Sequence, residues 1–501
     1  MIKILSATQI KEADQYTIEH EPVLSVDLME RAAEAFTSVF VSSYSVESSV
    51  YLFCGFGNNG GDGLAIARLL QQKNYRTTVY LLAGDQQYSP DLQVNLSRLQ
   101  QIDASAVHTI TDEADFPAIE HDAVIIDALF GSGLNRPLSG LPAKLVGYLN
   151  KQLCIRVAVD IPSGLFADRW SSGDVLMAHH TITFQQPKLS FLFPENAMTA
   201  GRLDIVSIGL HEGFLQAVTT DHFITEQKDI RMILMNRGKF DHKGKFGHAF
   251  IHAGSLEKMG AAILCGKACM RAGAGLTTLL AGETTVATLN IAIPEAMTMT
   301  LGTRHKKSIN RDAFSAAGLG PGIGTGKSAT TALLALMKNM TVPAVFDADA
   351  LNIISRQKKG MRMLPVNSII TPHLKEFERL AGPTYNWQDR HELQLKLSKQ
   401  HSIYIVLKGA YTCITTPEGI SYFNPTGNPG MAKGGSGDVL TGIITGLLAQ
   451  HYDQLNACLL GVYLHGLAGD LAMEKESEQS LLAGDIIASI GAAFNTLSAE
   501  Q

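Results

Sequence analysis

The stretch VYLFC-GFGNNGGDG-LAIARLLQQ, Val50 to Gln72, decides the fold class. Val50–Cys54 is too short for a helix and too apolar for a loop, so it reads as a buried strand. Gly55–Gly63 reads as a turn, and Gly63–Gln72 as the helix leaving it. Gly55, Gly57 and Gly60 satisfy G-x-G-x-x-G, a spacing that lets backbone amides approach a phosphate at a helix N-terminus. Working outward, further strands are expected at Thr77–Leu82, Val124–Ile126, Ile155–Val159, Thr181–Phe184 and Leu203–Ile208, with a helix over Val26–Phe40. Ser6 with Gln9 forms a capping box for an opening helix. Continuous apolar strands alternating with amphipathic helices predict a parallel sheet covered on both faces.

The alternation stops after Ile208-Gly209-Leu210, in a polar stretch running to about Lys228. A Gly- and Lys-rich segment follows, and Ala249–His252 opens a second series of strands at Leu276–Leu280, Ala344–Phe346, Ser368–Ile370 and Ile403–Leu407. Three helical stretches close the chain. The boundary is expected near residue 220, giving domains 1–220 and 221–501 that are both α/β and both three-layered. A length of 501 residues suits this count at about 150 residues per domain.

Composition removes several function classes. Lys and Arg number 41 against 47 Asp and Glu, a net charge of −6, so no strong field draws nucleic acid or an anionic membrane. Charged residues at 18% and hydrophobics at 46% exclude a disordered chain. No uninterrupted apolar run reaches the roughly 18 residues of a membrane span, and the first residues lack a signal-peptide layout. The six scattered cysteines give no zinc spacing and read as free thiols. A cytoplasmic enzyme acting on small molecules is the expectation.

In the first half, the apolar run Ala123–Ile126 ends in Asp127, and Val157–Val159 ends in Asp160 followed by Pro162-Ser163-Gly164. Ligands of parallel sheets bind at the carboxyl ends of strands, so Asp62, Asp127 and Asp160 should face one crevice with Asn58, Asn59 and Ser163. Oxygen ligands of this kind suit a hard cation, and a remaining carboxylate can move protons. Each aspartate alone also has a plain reading: Asp62 as a cap of the helix after it, the others as turn residues. A hydride-transfer site is disfavoured, because Thr77–Leu82 has no acid at its tip and Asp85 lies too far out.

In the second half, Gly318–Thr330 falls short of a P-loop because Pro321 stands where a glycine is required. Gly434-Gly435-Ser436-Gly437 leads into Asp438 and the apolar helix Val439–Leu448. Bare amides at that helix start make an anion hole, and Asp438 beside it can take a proton from a hydroxyl as phosphate arrives. His373, after Thr371-Pro372, is either a ligand contact or a hydrogen-bonded structural histidine. Lys408 at a strand tip either meets phosphate or is solvated. Asp347 and Asp349 either help hold magnesium or end their strand.

The motifs GNNGGDGL, IIDALFGSGL, VAVDIPSGL and TITFQQPKLSFLFPENA resemble the NAD(P)H-hydrate epimerase family over roughly the first 210 residues. That resemblance implies a hydrate pocket lined by Asn58, Asn59, Gly60, Gly61, Asp62, Gly131, Ser132, Gly133, Leu134, Asn135, Arg136 and Pro137. It implies Asp160 as ring contact and acid–base group, and potassium held by Asn59, Asp127 and Ser163. KGKFGH, GLGPGIG, DADAL, TPHLKEFERL, VLKG and NPGMAKGGSGDVLTG resemble the ADP- or ATP-dependent NAD(P)H-hydrate dehydratases, a ribokinase-like branch, over about residues 225 to 500. This second likeness implies hydrate contacts at Ala262, Gly322, His373 and Asp438. It also implies an adenine nucleotide at Lys408, Gly409, Ala410, Tyr411, Thr412 and Gly437, with magnesium. The order resembles the bacterial bifunctional repair enzymes, in which a Rossmann-like epimerase domain precedes a ribokinase-like dehydratase domain, and a homo-oligomer is implied. The alternative is a ribokinase-like small-molecule kinase fused to a dinucleotide-binding module, or a first domain that only binds.

Overall fold

A computed structural model describes residues 1–84, 87–300, 314–338 and 340–499; Asp85 lies outside them. The chain forms two compact units, Lys3–Thr220 and Asp221–Gln501, the latter with Met1–Ile2. The opening strand β1 (Ile2–Lys3) belongs to the edge of the second unit's sheet.

The first unit is built on seven strands: β2 (Ser49–Cys54), β3 (Arg76–Leu82), β4 (Val107–Ile110), β5 (Val124–Ala128), β6 (Ile155–Val159), β7 (His180–Phe184) and β8 (Arg202–Val206). Their order is β4-β3-β2-β5-β6-β7-β8, and every pairing is parallel. Strand order reverses between β2 and β5, which opens a crevice at their carboxyl ends. Alternate residues of β2 serve two cores. Val50, Leu52 and Cys54 pack with Phe36, Phe40 and Leu64, while Phe53 packs with Ile125, Leu145 and Val146. The helices Ser25–Ser43 and Asn58–Gln72 cover the first face, and Gly140–Leu149 covers the second.

The helix after the glycine turn starts at Asn58, five residues before the expected Gly63. Asp62 therefore lies within the helix, and its capping role is ruled out. The early start is possible because of close backbone approach. A Cβ on Gly55 would come 1.8 Å from the Leu129 carbonyl oxygen, and one on Gly60 2.2 Å from that of Gly55. The expected Ser6–Gln9 capping box is present on the helix Ala7–His20. The last strand stops at Val206 rather than Ile208.

The second unit carries β9 (His222–Ile224), β10 (His248–His252), β11 (Leu276–Ala281), β12 (Met297–Thr300), β13 (Ala316–Leu319), β14 (Ala344–Phe346), β15 (Ile369–Ile370), β16 (Tyr404–Leu407), β17 (Cys413–Thr415) and β18 (Ser421–Phe423). With β1 they form one sheet, β1-β9-β18-β17-β16-β15-β14-β13-β10-β11-β12. From β12 to β16 it is parallel; the hairpins β16–β17 and β17–β18 are antiparallel. The polar stretch running to about Lys228 contains β9, which extends the sheet beside β18. Helices Met259–Arg271, Ser436–Ala449, Gln454–Met473 and Ala483–Ser498 pack one face. Helices Lys327–Lys338, Asp349–Ser355 and Leu374–Ala381 pack the other. Gln454–Met473 is long and apolar enough to cross a membrane, yet 67% of its apolar window is buried against its neighbours. All six cysteines are buried and unpaired.

Candidate functional site

A cavity of ≈ 410 Å³ opens beyond the carboxyl ends of β2 and β5. Its wall takes Gly57, Asn58, Asn59 and Asp62 from the helix start, and Leu129 to Arg136 from the loop after β5. Asp160, Gln185, Gln186 and Lys188 come from the ends of β6 and β7, and Ile10 and Asp14 from the first helix. Gly60, Gly61 and Pro137 do not line it, contrary to expectation. Gly60 is pressed on Gly55, and Gly61 faces Met29.

Asp127 and Ser163 also stay out of the wall. Both are fully buried and bind each other: Ser163 N donates to Asp127 Oδ2 at 2.8 Å and Ser163 Oγ to Oδ1 at 2.6 Å. Phe130 N donates to Ser163 Oγ at 2.9 Å, so the pair fixes the loop that carries Gly131–Arg136. Burial pushes the Asp127 carboxyl up to about 6 against these hydrogen bonds. The three aspartates thus share a strand-end region, but only Asp62 and Asp160 face the crevice.

Asp160 adopts a left-handed backbone, φ +64. Its Oδ1 receives Lys188 Nζ at 2.7 Å, Phe184 N at 3.1 Å and Thr183 Oγ1 at 3.2 Å. Lys188 is 1% exposed, a buried cation held by one carboxylate and two backbone carbonyls. Burial first and the Asp160 charge second raise Asp14 to about 7, against Lys188. Asp62 is pushed well above the carboxylate range by burial, then by Asp160, Asp14 and Asp91. Asp14, Lys188 and Gln186 were not singled out from the sequence. The signal for Asp14 is its position four residues after Ile10, an acid on a helix face that otherwise buries apolar groups.

Potassium has a plausible set of donors here. Asn59 packs on Gly131, where a Cβ would stand 3.2 Å from Asn59 Oδ1, and its buried Nδ2 has no partner. Beneath the loop Ser163 Oγ lies 2.6 Å from Asp127 Oδ1 and 3.3 Å from the Phe130 carbonyl oxygen, oxygen atoms of a type that suits a large monovalent cation.

In the second unit the helix starts at Ser436, so Asp438 occupies its first turn and Gly435 precedes it at φ +97. Asp347, at the end of β14, is buried and accepts Lys408 Nζ at 2.9 Å and Thr441 Oγ1 at 2.7 Å. A Cβ on Gly437 would lie 3.2 Å from Lys408 Nζ, close enough that the lysine head would have to shift slightly, and 3.7 Å from Asp347 Oδ2, an ordinary contact. Burial first, and the Asp347 charge second, push Asp438 up to about 6; Lys408 opposes them. Behind the turn Ser436 Oγ meets His465 Nε2 at 3.3 Å. His465 is half-buried, and desolvation holds it down to about 4.

His373 takes the structural option in part. Its Nδ1 accepts from Lys375 N at 3.1 Å and Glu376 N at 3.4 Å, capping the helix Leu374–Ala381. The ring remains half exposed, and a bridge between His373 and Lys408 sets it beside the β16 tip. Lys408 to Thr412 form the turn of the β16–β17 hairpin, closed by Thr412 Oγ1 donating to Gly409 O at 3.0 Å. Gly322, at φ +64, abuts the helix carrying Ala262: a Cβ there would lie 2.9 Å from Ala261 Cβ. Asp349 accepts Gly324 N at 2.9 Å and Lys258 Nζ at 3.2 Å. Asp347 and Asp349 are thus each engaged by a lysine.

Comparison with known proteins agrees with this geometry. The model of the family described as NAD(P)H-hydrate dehydratase matches residues 249–491, and that described as YjeF-related protein N-terminus matches residues 25–190. A bifunctional NAD(P)H-hydrate repair enzyme of Moorella thermoacetica is 34% identical over 97% of this chain and 95% of its own length. The ADP/ATP-dependent NAD(P)H-hydrate dehydratase of Bacillus subtilis, co-crystallized with ATP/Mg2+, is 33% identical. It covers 54% of this chain and 97% of its own, with a TM-score of 0.50. A ribokinase-like superfamily protein of Enterococcus faecalis covers 56% of this chain and 98% of its own at 26% identity and TM-score 0.50. With 34% identity over nearly the whole length and a family model matching each unit, the chain belongs to the family of bifunctional NAD(P)H-hydrate repair enzymes.

Proposed function

We propose that this chain restores hydrated nicotinamide cofactor. The first unit interconverts the two epimers of NAD(P)H hydrate, and the second dehydrates the S-epimer with ADP, giving AMP and phosphate. The observation that carries the reading is Asp438: a carboxyl raised to about 6, in the first turn of a helix entered through Gly434–Gly437 and beside the Lys408–Asp347 pair. Asp438 takes the proton of the hydrate hydroxyl as the hydroxyl oxygen bonds to the terminal phosphorus of the nucleotide, and the bridging P–O bond breaks with its electrons leaving on AMP. The amides of Gly434–Gly437 meet the charge that develops there. Phosphate then leaves with the C–O electrons, and loss of a proton from the adjacent carbon restores the ring double bond. Activation is required because hydroxide is a poor leaving group.

On this reading Ala262, Gly322, His373 and Asp438 contact the hydrate, and Lys408 to Thr412 with Gly437 contact the nucleotide. Magnesium comes with the phosphates, since the nearby carboxylates are already paired. In the first unit Asn58, Asn59, Asp62, Asp160 and Gly131–Arg136 contact the hydrate. Potassium, at Asn59, Asp127 and Ser163, supplies positive charge under the Gly131 loop.

The experiment is to incubate the purified chain with NADHX and either ADP or ATP, in potassium and in sodium buffers. Return of the reduced-nicotinamide absorbance with phosphate release supports the reading, and no recovery with either nucleotide ends it. Potassium-independent consumption of the R-epimer removes the cation assignment. An accumulating phosphoester would favour the kinase alternative.

A further inference from the structure

Water adds to an enamine with the hydroxyl on the carbon bonded to nitrogen, so the hydrate is a hemiaminal. Its inversion needs a group that can give a proton to that hydroxyl and take one back. Among the cavity's carboxylates, Asp160 is committed through Oδ1 to Lys188, Phe184 N and Thr183. Asp14 lines the same wall and takes no hydrogen bond from any described residue. The buried Oε1 of Gln186, also in the wall, has no partner and is available to an N–H of the ligand.

We infer that Asp14 is the catalytic acid of epimerisation, while Asp160 and Lys188 form the fixed charge pair against which it works. Neutral Asp14 passes its proton to the hydroxyl oxygen, and the C–O bond breaks with both electrons moving to oxygen, releasing water. The ring-nitrogen lone pair becomes the second bond of a planar C=N⁺. Water returns to either face of that carbon, the nitrogen recovers its pair, and the surplus proton goes back to the Asp14 carboxylate. Nothing is consumed, and the cation is balanced by the Asp14 carboxylate just formed.

The surroundings suit a group that works in both directions. The charged groups of the wall are Asp62, Asp160, Lys188 and Arg136. On neighbouring elements, Arg31 pairs with Glu21 at 3.1 Å, and His211 packs edge-on against Tyr16. Burial and the Asp160 charge place Asp14 at about 7, where an acid and its base are both present near neutrality. Burial, and then the charges of Asp160, Asp14 and Asp91, push Asp62 upward as well. Environments that push neighbouring carboxyls apart divide their roles.

The inference rests on the epimerase reading. The test follows the R-epimer of NADHX by NMR with the full chain, counting only conversion above the spontaneous rate. D14N should lower the catalysed rate by about 100-fold, leave S-epimer dehydration unchanged, and be partly rescued by D14E. The unmutated chain's kcat/KM for epimerisation should fall as pH rises through about 7, because the protonated form is active. D14N should lose that limb. Catalysis by D14N within about threefold of the parent, or an unchanged limb in D14N, overturns the role of Asp14 alone. An unmutated chain that leaves the R-epimer at its spontaneous rate overturns the epimerase reading itself. Should D14N unfold, the parent profile decides, and a flat profile across neutrality removes Asp14.

Discussion

The two units place a lysine on a carboxylate at the end of a parallel strand, but they bury the pair differently. In the first, Lys188 meets Asp160 at 2.7 Å and is 1% exposed; in the second, Lys408 meets Asp347 at 2.9 Å with 21% of its side chain exposed. Both strand ends bend through a left-handed non-glycine residue, Asp160 at φ +64 and Ala348 at φ +51. Both sit beside a helix whose first turn follows a glycine. The difference lies in what stays open. The first unit buries its cation behind a wall of carboxyls, an arrangement suited to shuttling a proton within the pocket. The second keeps its cation near the surface beside bare amides, where a phosphate can arrive and leave.

The largest effect should come from removing the second unit's base. Asp438→Asn is expected to slow phosphate release from S-NADHX and ADP by about 10³-fold, while epimerisation by the same protein is unchanged. Equal loss of both activities would mean that the two sites are not separable in this way. In the first unit the dominant effect is on stability. Asp160→Asn leaves the 1%-exposed Lys188 without its carboxylate, and breaking a buried pair from one side costs about 3 kcal/mol. Denaturant unfolding should show the loss in the first unit's transition. Asp160→Asn with Lys188→Met should recover most of the stability without epimerisation. Asp347→Asn should cost less, because Lys408 can turn to water.

That contrast also explains what the sequence could reveal. Glycine-led turns and the aspartates at strand tips were legible because parallel strands bring their carboxyl ends to one edge. Asp438 was found this way, and so was Asp160. The helix start at Asn58 was hidden, because only the close contacts of Gly55 and Gly60 with backbone carbonyls allow it. Asp14 and Lys188 were hidden for another reason. They reach the cavity from the opening helix and from the loop after β7, and no local spacing connects either to Asp160. His373 carries a residue type that suits a ligand contact and a cap equally, and its Nδ1 is spent on the cap. Asp127 and Ser163 stood at the right strand ends, but their mutual hydrogen bonds turn them away from the crevice.

A subtler distinction concerns how each site sets its acidity. Asp438 is raised by burial and then by the Asp347 charge, with Lys408 opposing. Asp347→Asn removes the like charge that helps to raise Asp438, and this lowers its pKa. Dehydration needs the carboxylate form, so the acid limb of kcat/KM should move to lower pH by about one unit, a 1.4 kcal/mol change. An acid limb that stays in place, or moves upward, would separate Asp347 from the chemistry of Asp438.

The smallest predicted effect tests the bend itself. Ala348 stands between Asp347 and Asp349 at φ +51 and ψ −118, a region that disfavours a Cβ. Asp160, at the matching place in the first unit, has a side chain tied to Lys188 that needs its position there. Ala348 has only a methyl group, so its strain has no polar contact to offset it. Ala348→Gly should therefore relieve strain of order 1 kcal/mol, partly cancelled by glycine's greater freedom in the unfolded chain. The second unit's midpoint should rise slightly or hold, with dehydration nearly unchanged. A clear fall in stability would show that the methyl group's packing outweighs the backbone strain, and the likeness between the two strand ends would then be one of shape and not of energy.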